Sequence, residues 1–134
     1  MKREYYIFII LFLAVVFDAT GDAMRTNGFQ IVHHIFEAIM IVCFFAVWKL
    51  YPFRWSYVWF YLLCRIWAFN PLYNITAGNK INYLGDSNIY DIVIKWFGEA
   101  VKNPPENFAL IFQFMALLAT VALIIKEYRK ANGT

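Results

Sequence analysis

Asp18, Asp22 and Arg25 are separated by four and three residues, and Glu37 follows His33 by four and His34 by three. On a helix each set shares one face, because positions three and four apart lie one turn above one another. Carboxylate oxygens and imidazole nitrogens on facing helices suit zinc, manganese or iron, so Asp18, Asp22, His33, His34 and Glu37 are candidate ligands of a divalent metal. A metal with one open position would activate water, and Arg65 or Arg25 would bind an anionic group. Glu37, Arg65 and Asp18 are then the candidate catalytic residues, and Arg25, Asn70, Asn74 and Gln113 complete a substrate-binding or hydrogen-bonding network. The same residues admit a structural role: Arg65 is the obvious counter-ion for Glu37 or Asp18, and a buried ion-pair network would fix helix register. One cation cannot neutralise two or three carboxylates, however. The surplus negative charge, with two histidines, favours a bound cation or titrating protons.

The elements that must position these groups follow from composition. Of 134 residues, 62% are hydrophobic, 21% aromatic and only 16% charged, with a mean hydropathy of +0.53. A water-soluble domain of this size could not hide so much apolar surface. About 20 residues cross the roughly 30 Å hydrocarbon core, so four spans use the chain fully and leave no room for a second domain. The expected fold is all-α: four transmembrane helices at about residues 5–24, 30–49, 54–70 and 106–125, plus an amphipathic interfacial helix at about 88–102 in the third loop. A signal peptide would resemble the first span, but Asp18 and Asp22 would be unusual in a cleavage region, which favours a retained helix. Pro71 is expected to end the third span, because proline cannot donate to the helix ladder and disfavours helical geometry at Asn70.

The loop helix shows Ile89, Ile92, Val93, Trp96, Phe97, Ala100 and Val101 at three- and four-residue intervals, with Ser87 or Asn88 as its N-cap. Such a helix lies in the interface or folds over the spans as a lid. Asn74-Ile75-Thr76 before it fits a short glycosylation sequon. Orientation follows from the basic residues near span ends. Lys2, Arg3, Lys49, Arg54, Lys126, Arg129 and Lys130 lie on one side, against Arg25, Lys80, Lys95 and Lys102 on the other. The positive-inside rule therefore predicts an inner-membrane, multi-pass protein with both termini cytoplasmic.

Depth arithmetic brings the polar residues together. Asp18 lies about 20 Å from the inner end of its span, Glu37 and Gln113 fall at a similar depth, and Arg65 sits about 16 Å up the third span. Each span thus contributes one polar residue to a common layer, with Asp22, His33, His34 and Asn70 one to two turns nearer the outer surface. Lipid-facing charges at that depth cost about 2.5–3.5 kcal/mol each, so these groups should face inward and pair.

Other chemistries have less support. There is no Gly-x-Ser-x-Gly, phosphate loop or Cys-x-x-Cys, and Cys43 and Cys64 read as small apolar core residues. The net charge of +3 is dispersed at span ends rather than gathered in a stripe, which sets nucleic acid aside. The Asp18-to-Arg25 stretch resembles the aspartate-rich motif of the CDP-alcohol phosphotransferases, without the glycine after the second aspartate and without the later aspartate pair, and no activity is carried over. Asp-Ala-x2-Asp-Ala-x-Arg, His-x3-Glu, and Arg65 with Phe69, Asn70, Tyr73 and Asn74 together resemble small multi-pass membrane proteins of bacteria and their phages, which implies no activity either. The expected partners are the lipid bilayer, a lipid-phosphate substrate and a second copy of the chain. The functional expectation is a cation-binding site near the outer leaflet serving hydrolysis or transfer on a lipid-like substrate. The alternative is a proton- or ion-conducting or structural membrane protein, of accessory, pore-forming or exclusion type.

Overall fold

A computed structural model describes residues 3–81, 83–85 and 89–133. All regular structure among them is helical: α1 (Arg3–Thr26), α2 (Gln30–Leu50), α3 (Trp55–Cys64), a π-helical segment (Arg65–Phe69), α4 (Asn70–Ala77), α5 (Ile89–Ala100) and α6 (Pro105–Asn132). Three stretches are long and apolar enough to cross a membrane: Tyr5–Thr26, Gln30–Leu50 and Pro105–Asn132. The N-cap expected at Ser87 or Asn88 lies outside the described residues.

Pro71 does not end the third helix. Asn70 keeps right-handed helical angles, φ −62° and ψ −46°, and α3, the π segment and α4 run on without a break from residue 55 to 77. An α-turn would drive the pyrrolidine ring into the carbonyl four residues back. The wider π turn just before Pro71 gives the ring room, and the helix stops only at Gly78, whose φ of +78° closes it in the left-handed region. The sequence expectation of a stop at Asn70 weighed proline's missing donor but not this local rewinding.

Each helix packs where its small or apolar stripe allows. Ala14, Ala19 and Ala23 of α1 are fully buried, and a Cβ on Gly21 would lie 3.0 Å from the Cβ of Phe36, so α2 approaches α1 closely only because these side chains are small. The main core lies between α1 and the third helix, where Ile7, Phe8, Leu11 and Val15 gather with Tyr57, Phe60 and Cys64 of α3 and Phe69 of the π segment. α6 packs on α3, the π segment and α5; among the described residues α2 and α6 do not meet. Between the start of α3 and the C-terminal part of α6, Arg54 pairs with buried Glu127 at 3.6 Å.

α5 is turned opposite to a soluble amphipathic helix. Asp91, Ile94 and Gly98 face inward, while Ile92, Val93, Trp96 and Phe97 are exposed. Its inward strip seats on α6 through Ile94 and Ala109, and the small Gly98 is required there because a Cβ would meet Pro105 Cα at 2.9 Å.

Candidate functional site

The C-terminal half of α1 adjoins two separate polar clusters and forms one wall of a cavity. The first cluster belongs to the π segment. Arg65 opens that segment, and its Nη1 donates to Asp18 Oδ2 and to the Tyr61 hydroxyl at 3.1 Å. The guanidinium carbon also lies 4.6 Å from the Phe69 ring centroid, within cation–π range. The Asp18 side chain is 13% exposed and that of Arg65 41%. Asp18 is therefore committed to Arg65, one of the two counter-ion pairings expected for that arginine, and Glu37 takes other partners.

The second cluster sits on α2. His33, buried, places Nδ1 3.0 Å from the backbone carbonyl of Gly21 and Nε2 3.3 Å from Glu37 Oε1. A carbonyl only accepts, so Nδ1–H donates to it, and Nε2 of a neutral ring then carries a lone pair aimed at a carboxylate oxygen. Two acceptors facing each other need a cation or a proton between them. The Nε2···Oε1 separation is close to the edge of a tetrahedron with metal bonds of about 2.0–2.1 Å, roughly 3.3 Å. Exposed His34 sets Nδ1 2.9 Å from the other oxygen, Glu37 Oε2, which leaves its Nε2 available. One ligand atom from each of His33, His34 and Glu37 lies within 4.8 Å of the others. The set of five candidate metal ligands thus divides: His33, His34 and Glu37 converge, while Asp18 is held by Arg65 and Asp22 turns toward the cavity.

Gly21 links the clusters to the fold. Its lack of a side chain brings α2 within reach, and its carbonyl fixes the His33 ring, the role an outer-shell acceptor plays behind a ligating histidine.

The cavity, about 680 Å³, is walled by Asp22, Arg25 and Thr26 of α1, Gln30 of α2, Phe69 of the π segment, Asn70, Tyr73 and Asn74 of α4, and Tyr83, Gly85 and Asp91 above them. Its roof is pinned by hydrogen bonds. Asn74 donates its amide nitrogen to the carbonyls of Ile81 at 3.0 Å and Tyr83 at 2.9 Å. Asn70 donates to Asp91 Oδ1 at 3.2 Å, and Gly85 N–H to Asp91 Oδ2 at 3.0 Å. The end of α1 is tied to α4 by Thr26 Oγ1 and the Tyr73 hydroxyl, 2.9 Å apart. Asn70 and Asn74 therefore act as structural pins as well as cavity wall. The Asn74 nitrogen, 2% exposed as a residue and already donating twice, has no room for a glycan.

Gln113 lies elsewhere, on α6 and facing Tyr90 of α5 rather than the Asp18–Glu37–Arg65 layer. Burial pushes the Tyr90 phenol up to about 12, and the negative charge of Asp91 adds to the effect. The sequence reading assigned Gln113 a depth along its helix but carried no information on its rotation about the axis. The reading also missed Tyr61, Tyr73, Tyr83 and the pinning role of Asp91. For Tyr61 the signal is its place four residues before Arg65, and for Asp91 its place on the inward strip of an otherwise apolar helix. Compared with protein-family models, curated proteins and solved structures, the chain matches none.

Proposed function

We propose that this is a cell-membrane protein with four spans, the third being the continuous run at residues 55–77, and that it binds a divalent cation on His33, His34 and Glu37 for hydrolysis or transfer on a lipid-like phosphate substrate. The uninterrupted third helix supports the fourth crossing, being about 34 Å long at 1.5 Å per residue. The outward apolar face of α5 supports an interfacial position for that helix. The excess of Lys and Arg at the opposite ends supports cytoplasmic termini.

The observation that carries the cation site is the His33 ring, clamped by the Gly21 carbonyl with Nε2 directed at Glu37. A cation bound there would supply Lewis-acid polarisation and an activated water. The chain's own part is to hold the ligands, with Glu37 bridging both imidazoles, and to offer Arg25 for the phosphate charge. Arg25 lines the cavity and lies within electrostatic range of Glu37. The Asp18–Arg65 pair fixes α1 against the third helix and so positions the site.

The same Nε2···Oε1 contact favours a second reading, a proton shared between His33 and Glu37 within a conducting or structural charge network. Metal analysis by inductively coupled plasma mass spectrometry separates them. Detergent-purified protein made without chelators should hold near-stoichiometric zinc, manganese or iron, and the His33→Ala, His34→Ala double variant should hold none. Equal, sub-stoichiometric metal in both proteins overturns the metal reading and leaves the proton network.

A further inference from the structure

The outer cavity contains two opposite charges that do not satisfy each other. Asp22 and Arg25 are three residues apart on α1, close enough to pair across one turn. Both line the cavity, yet neither belongs to the ion pairs His33–Glu37, His34–Glu37, Arg54–Glu127 and Arg65–Asp18. Around them stand Phe69, Tyr73 and Tyr83. The Phe69 and Tyr73 rings are parallel within 4°, their centroids 6.3 Å apart, and Tyr73 is fixed at its other end by its contact with Thr26.

A simple anion entering this space would meet the Asp22 carboxylate, and a simple cation would meet the Arg25 guanidinium. A ligand with both charges satisfies both. Guanidinium suits phosphate through paired N–H donors, and carboxylate with aromatic faces suits an ammonium. Cβ atoms three residues apart on a helix are about 5–6 Å from each other, the reach of a two-carbon linker between phosphate and ammonium. The cavity volume also falls in the range of small-ligand pockets, about 300–1,000 Å³.

We propose that the cavity binds a phosphoethanolamine- or phosphocholine-type headgroup, its phosphate on Arg25 and its ammonium between Asp22 and the Tyr73 and Tyr83 rings. This names the substrate class for the function proposed above and rests on that reading for its lipid source, but not on the metal. The wall of the cavity includes the last turn of α1 and the first residue of α2, the level at which headgroups of the outer leaflet lie if α1 and α2 span the membrane.

The test is isothermal titration calorimetry on full-length protein, stripped of metal, in nanodiscs of phosphatidylglycerol. Phosphocholine should bind about tenfold or more tighter than inorganic phosphate or choline alone. Asp22→Asn should abolish that advantage while leaving phosphate binding in place, and Arg25→Gln should weaken both phosphate and phosphocholine. Tyr83→Ala, on the roof and outside the spans, should lower phosphocholine affinity several-fold without affecting phosphate. Repeating the titration in phosphatidylcholine nanodiscs identifies the source: lost binding means that the lipid headgroup already occupies the cavity, and unchanged binding means a free phosphorylated amine. Equal affinity for phosphate and phosphocholine, or an Asp22→Asn protein indistinguishable from the parent, overturns the proposal. Because the protein carries no metal in this experiment, its failure is separate from failure of the metal analysis.

Discussion

Asp18 and Glu37 are carboxylates on neighbouring helices, yet their partners give them different work. Asp18 is mostly buried and pairs with one guanidinium, whereas Glu37 is half-exposed and divides its two oxygens between two imidazoles. Removing Arg65 strands a carboxylate inside the protein. Arg65→Met should cost about 2 kcal/mol in detergent unfolding, below the roughly 3–5 kcal/mol of a fully buried pair because the guanidinium is 41% exposed. The Asp18→Asn, Arg65→Met double variant should recover part of that loss, a coupling that a double-mutant cycle reads directly. Glu37→Gln should leave the midpoint unchanged and remove bound metal. A large loss of stability from Glu37→Gln, with none from Arg65→Met, would reverse these assignments. At this scale the candidates could be named from sequence, because ionisable residues are conspicuous in apolar segments. The pairing was not legible: Arg65 was as available to Glu37 as to Asp18 until the third helix was set against α1.

At the scale of elements, the third helix differs most from expectation. Proline chemistry argued for a break at residue 70, but a π turn absorbed the conflict and carried the helix another seven residues. That extension delivers Tyr73 and Asn74 to the cavity wall. The carbonyls of Ile81 and Tyr83 are both held by the Asn74 amide. Asn74→Ala should leave both carbonyls without their donor, at about 1–3 kcal/mol of local stability. Hydrogen exchange should therefore accelerate in the 79–85 segment and at the start of α5, while α1 and α2 keep their protection. Uniform acceleration across all helices would mean that Asn74 supports the whole fold. The periodicity of α5 was readable from sequence, and its orientation was not. An apolar stripe faces a core in water but lipid at an interface, and here Asp91 and Ile94 are the buried residues.

At the scale of the whole molecule, α1 and the third helix form the centre, α2 lies against α1, and α6 carries α5 at the far side. If the four-span reading holds, cysteines introduced singly at Lys80 and Ala131, in a background with Cys43→Ala and Cys64→Ala, should label from opposite faces of sealed vesicles. Lys80 should react with impermeant maleimide from outside and Ala131 only after permeabilisation; labelling of both from the same face would remove one crossing. The helical class, the membrane-length apolar segments and the residue types of the polar site were determined by the sequence itself, because composition and the 3.6-residue period act along the chain and need no partner. Tertiary structure alone decided which carboxylate met Arg65, that Gln113 turned to Tyr90, that Gly21 let His33 reach a backbone carbonyl, and that Asp22 and Arg25 faced a common cavity. Those outcomes depend on the rotation of each helix about its axis and on how closely two backbones can approach. Both are set by the side chains of other helices, far away in sequence.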